Sequence, residues 1–90
     1  MNKSDELFVQ LLYIFHQTAM QSLGKIKNPV TDKIDRNLEQ AKQSIDMIEM
    51  LKDKSKGNIP DEVMKILDGF LTELRLNYID ESAKDNVAKS

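Results

Sequence analysis

The chain has no cysteine and no tryptophan, one histidine, two prolines and three glycines in 90 residues. Without cysteine there is no disulfide framework, no thiolate metal site and no cysteine nucleophile. A single histidine removes any multi-histidine metal site within one chain. Charge of one sign is not in excess: 15 acids against 13 bases leave a net charge of -2, so no global basic field exists for nucleic acid. Long apolar runs are missing too. The one candidate, Leu7 to Phe15 (LFVQLLYIF), is far short of the roughly 20 apolar residues needed to span a bilayer. Asp5 and Glu6 stand where a signal peptide carries basic residues. A soluble, cytoplasmic protein is expected.

What is present is helical period. A first segment runs from about Asp5 to Leu23, with Ser4 in N-cap position and Gly24 just past its end. Asn28-Pro29 marks the first break. A second segment runs from about Asp35, or from Thr31, to Ser55, and Gly57-Asn58 ends it. Pro60 and the acids Asp61 and Glu62 suit the start of a third, which is read as reaching about Asp80. Residues 81–90 (ESAKDNVAKS) lack a sustained apolar stripe and are read as a disordered polar tail. Gly69 falls inside the third segment, where close approach of another helix is the expected reason. The two breaks are short, so neighbours should run antiparallel. The expected fold is all-α: a three-helix antiparallel bundle over residues 1–80, followed by the tail.

The three apolar faces differ. In the second segment Ile34, Leu38, Ala41, Ile45 and Ile48 form a seam about 80° wide, with Met47, Met50 and Leu51 joining in the last turns. In the third, Val63, Ile66, Leu67, Phe70, Leu71, Leu74 and Tyr78 cover about 140°. The first segment has no Asp, Glu, Lys or Arg from Leu7 to Gly24. Leu7, Phe8, Leu11, Leu12, Phe15, Ala19 and Leu23 make a core arc of about 160°, which Val9, Tyr13 and Met20 extend to about 240°. The remaining side holds Gln10, Ile14, Gln17 and Gln21, polar or apolar but uncharged. Cover could come from long side chains of the other helices, from the tail, or from another chain. A second copy is the favoured reading, because a large apolar patch is unusual on a monomer and a chain this short buries a modest core. Val9, Tyr13, Ile14 and Met20 are the candidate interface.

Chemistry-bearing constellations are few. His16 has no Glu three or four residues away, and Asp46, Glu49 and Asp53 alternate with lysines as on a solvated, salt-bridged face. The six serines have no Gly-rich elbow and no second histidine. No catalytic, cofactor or metal site is read, and an enzyme is not expected. Lys52, Lys54 and Lys56 end the second segment and Lys25 and Lys27 end the first. In an up-down-up bundle these clusters lie at opposite poles, which counts against one nucleic-acid groove. An RNA- or ribosome-associated accessory factor using these lysines, on the joint surface of two protomers, is the alternative to a protein-interaction module.

The stretch Ala41 to Ile59 (AKQSIDMIEMLKDKSKGNI) carries a resemblance, together with Leu23-Gly24, Asn28-Pro29, Leu71, Leu74-Arg75 and Tyr78. In these residues the chain resembles a small bacterial family, domain of unknown function number 1844, over roughly Leu7 to Tyr78. Ser55 stands where the family has Thr, and Asp32 where it has Gly. The acidic stretch after Asn58 is shortened to Pro60-Asp61-Glu62. The resemblance implies no activity. It implies that Lys54, Lys56, Gly57, Asn58 and Arg75 matter to the family. Arg75 is expected either to pair with Asp46 or Glu49 across the bundle or to cap carbonyls.

Overall fold

A computed structural model describes residues 1–89, with side chains for residues 1–86. Three helices follow one another: α1 (Lys3–Ser22), α2 (Leu38–Ser55) and α3 (Asp61–Lys89). Each packs against the other two. Among the described residues there is no strand, only an isolated bridge between Asn28 and Lys33.

Local chemistry sets the boundaries. α1 starts one residue before Ser4, because Asn2 rather than Ser4 is the N-cap. Its side chain accepts from Asp5 N at 2.8 Å, and Asn2 N donates back to the Asp5 carboxylate at 3.3 Å, a reciprocal capping box. At the other end Gly24 has φ +78°, and Lys25 N donates to Met20 O while Gly24 N donates to Gln21 O. This pair of bonds is the Schellman closure, which needs a left-handed residue after the cap. The connection then tightens around Asn28, whose side chain accepts from Val30 N and whose carbonyl accepts from Asp32 N. Asp32 has φ +55°, the left-handed region that Gly enters freely, and Asp is among the few other residues that tolerate it.

α2 begins at Leu38, later than expected. Asn37 caps it by accepting from Gln40 N at 3.1 Å, and Asn37 N donates to Ser22 O, tying the start of α2 to the end of α1. Ile34 therefore lies in the connection, half exposed, and does not belong to the α2 seam. Gly57, at φ +80°, turns the chain toward Pro60, whose carbonyl accepts from Val63 N and Met64 N at the head of α3.

α3 does not stop at Asp80. It continues through residues 81–86 and beyond, to Lys89, where a disordered tail was expected. The reason lies on its inner seam: Glu81 is three residues past Tyr78 and is buried by basic groups from the first connection. Of the expected tail, Ser90 and the side chains of 87–89 lie outside the described residues.

The core is aliphatic. Leu12, Ala19 and Leu23 from α1 and its cap meet Ala41, Ile45 and Ile48 from α2 and Leu67, Leu71 and Leu74 from α3. Phe8, Phe15, Leu51, Phe70 and Tyr78 close its edges. Ala41 and Ser44 are small buried residues on α2 and let α1 approach. Gly69 gives no such approach: it faces solvent, and a Cβ there would meet nothing within 4 Å.

Candidate interaction surface

α1 is rotated relative to the arc expected from its sequence. Phe70 of α3 takes Tyr13 edge-on, with ring centroids 5.2 Å apart, and lies tilted against His16 at 4.4 Å. His16 Nε2 is 2.7 Å from Glu73 Oε1. These contacts draw the Val9–Tyr13–His16–Met20 flank toward α3. Val9 and Met20 are half-buried, and Met20 lines a shallow pocket with Tyr13, His16, Gln17 and Ile26.

The rotation turns the other edge of the arc outward. Leu7 and Leu11, assigned to the core from the sequence, are 51% and 38% exposed, and Ile14 beside them is 61% exposed. The four candidate interface residues are thus divided. Val9 and Met20 border α3 half-buried, Tyr13 touches Phe70 but stays 56% exposed, and Ile14 stands on the outer face with Leu7 and Leu11. The uncharged glutamines 10 and 17 are exposed between the two groups.

The family-motif residues are also divided. Lys54, Lys56, Gly57 and Asn58 form the exposed corner between α2 and α3, where Asn58 N donates to Ser55 O. Arg75 lies elsewhere along the α2–α3 seam, with its guanidinium 2.9 Å from Glu49 Oε2, one of the two acids expected for it. It borders an open groove of about 250 Å³ floored by Ile45, Tyr78 and Ile79 and rimmed by the Arg75–Glu49 and Lys42–Asp46 pairs.

Most of the named lysines are neutralised locally. Lys25 is 2.9 Å from Glu81 and 3.5 Å from Asp80; Lys52 is 2.7 Å from Asp68; Lys56 is 3.8 Å from Asp53. The acids Asp46, Glu49 and Asp53 each have a basic neighbour in turn. Among the described residues no group of three or more His, Asp or Glu side chains is placed to hold a metal ion. No described helix is long and apolar enough to cross a membrane.

The strongest electrostatic cluster centres on Glu81, within the segment expected to be a tail. The Glu81 carboxylate accepts from Lys84 at 2.7 Å, Lys25 at 2.9 Å and Arg36 Nε at 3.0 Å. Arg36 also donates to the Glu81 carbonyl and to Asp85. Hydrogen bonds from Lys84 and Lys25 lower the Glu81 pKa to about 2 against the opposing effect of burial. The same contacts raise the pKa of Lys25, through Glu81 first, and of Arg36, through Asp85 first. The usable signal was the spacing Leu67, Leu71, Leu74, Tyr78, Glu81, which carries the inner seam past Asp80.

No curated protein and no solved structure matches the chain. The family described as "Domain of unknown function (DUF1844)" matches residues 6–80, from the first turn of α1 to the point where α3 meets the Glu81 cluster. With most of its length so matched, and with the Leu23-Gly24 stop and the Lys54–Ile59 corner in place, the chain belongs to the DUF1844 family.

Proposed function

We propose that this protein is a non-enzymatic, cytoplasmic helical module that acts by association and pairs with a second copy of itself through α1. The observation that carries this reading is the outer face of α1. Leu7, Leu11 and Ile14 are all exposed, on a helix with no Asp, Glu, Lys or Arg from Leu7 to Gly24. Exposed rows of helices normally carry ionic side chains, and a contiguous apolar row without them marks a contact surface. A closed twofold pair is the commonest way to cover such a row. The non-enzymatic reading is supported by the one imidazole, engaged with Glu73, and by the ion-paired acids of α2.

Sedimentation equilibrium over a wide concentration range tests the association. The wild type should show a species of twice the 10.3 kDa chain mass. Ile14→Glu, which places a charge on the exposed row without entering the core, should sediment as the monomer with helicity unchanged. A wild type of single-chain mass at every concentration contradicts the reading.

A further inference from the structure

The exposed apolar row of α1 does not stand alone. α3 occupies one flank of α1, where Phe70 and Glu73 meet Tyr13 and His16, and one flank of α2, where Arg75 meets Glu49 and Tyr78 and Ile79 share a groove with Ile45. The free flanks of α1 and α2 therefore lie together, on the side of the α1–α2 pair opposite α3. On α2 that flank exposes Met47 (38%) and Met50 (46%). The helices run antiparallel from the Asn37–Ser22 tie, which sets these methionines roughly level with Leu11 and Leu7 at 1.5 Å per residue. Gln40, Gln43 and Thr18 are exposed and uncharged on the same flank, which Glu39 and Lys54 close at its ends.

We infer that the contact surface is this joint face of α1 and α2, and that its occupant is a second copy of the chain, laid across a twofold axis so that the two α1–α2 pairs form a four-helix layer. The inference rests on the self-association reading above and gives it a geometry. Two features on the face argue for the occupant. First, a twofold axis sets a surface against itself, so charges near its centre meet their own kind. The middle of this face has none: Leu7 to Gln21 on α1 and Gln40, Gln43, Met47 and Met50 on α2 are uncharged, and the exposed Glu39 and Lys54 stand at its ends. A different protein partner is ordinarily steered by complementary charge, and the middle of this face offers none. Second, the size fits. About 21 Å of helix by about 20 Å of paired width projects to about 400 Å². Side-chain relief raises the accessible area toward the about 800 Å² per partner of a standard stable interface. Thioether side chains also adapt readily to a facing copy of themselves. The outer face of α3 differs: its exposed Leu76 and Ile79 are flanked by Asp68, Glu73, Arg75 and Asp80.

Sedimentation velocity of the full chain, with circular dichroism to check folding, tests the joint face. Met47→Glu on α2 should raise the dimer dissociation constant by about tenfold or more, as Ile14→Glu does on α1, because each buries an unpaired carboxylate in the contact. Leu76→Lys on α3 should leave it within about twofold. Gln43→Glu repeats the α2 test at a fully surface position should Met47→Glu lose helicity. If the α2 variants dimerise as the wild type while Ile14→Glu is monomeric, the joint face is overturned and pairing through α1 alone stands. A wild type that is monomeric throughout overturns both.

Discussion

Glu81 is a carboxylate with three cations around it and almost no water. Its ordinary pKa of 4.5 falls to about 2 because Lys84, Lys25 and Arg36 hydrogen-bond the ionised form. The sign of the linkage follows: ionised Glu81 favours the folded chain fully above pH 4.5, and that contribution is lost as pH falls through about 2. Glu81→Gln should therefore lower the urea midpoint at neutral pH. The gap to the wild type should close between pH 4.5 and about 2, where the native carboxyl is protonated as well. A gap that stays constant over that window would show that the charge of Glu81 contributes nothing. The partly exposed partners Lys25, Arg36 and Lys84 make the effect sensitive to salt.

At the scale of the element, the stops of α1 and α2 were the most legible features of the sequence. Gly24 and Gly57 both take positive φ, and Pro60 sits at the head of α3, because only those residues close a helix or open one at so little cost. The starts were less legible. Ser4 and Asn2 are both capping residues by type, and the choice fell to Asn2 because only it has an acid three positions on, Asp5, to complete the reciprocal bond. Ile34 kept the spacing of the α2 seam although the chain is still in the connection, since a residue spacing carries no information about where the backbone leaves the helix. The end of α3 was misplaced because burial by Lys25 and Arg36 comes from residues about 50 positions away, which no local pattern displays. Gly69 offers a test at this scale. With nothing near its missing Cβ, Gly69→Ala should stabilise the chain by about 0.5–1 kcal/mol, from helix propensity alone. Loss of thermal stability in that variant would mean that the glycine is needed for a close contact after all.

For the whole molecule, three faces follow from three helices. One lies around the α2–α3 groove and is bordered by ion pairs; one lies between α1 and α3, where Phe70 packs against Tyr13 and His16; one lies across α1 and α2, uncharged along its middle and without cover. That α1 is nearly free of charge was plain in the sequence. Which side of it is left open was not, because an apolar arc of about 240° is compatible with several rotations of the helix. The aromatic contacts of Phe70 chose among them, turning Val9 and Met20 inward and Leu7 and Leu11 outward.

The central claim is that a second copy covers the outward row of α1. Isotope-filtered nuclear Overhauser spectroscopy on a mixture of ¹³C-labelled and unlabelled chains reads this most directly, since every cross-peak it retains joins two copies. The account predicts intermolecular cross-peaks from the methyl groups of Leu7, Leu11 and Ile14. A spectrum with no such peaks at dimer-forming concentrations, or with peaks only from Leu76 and Ile79 on α3, would contradict it.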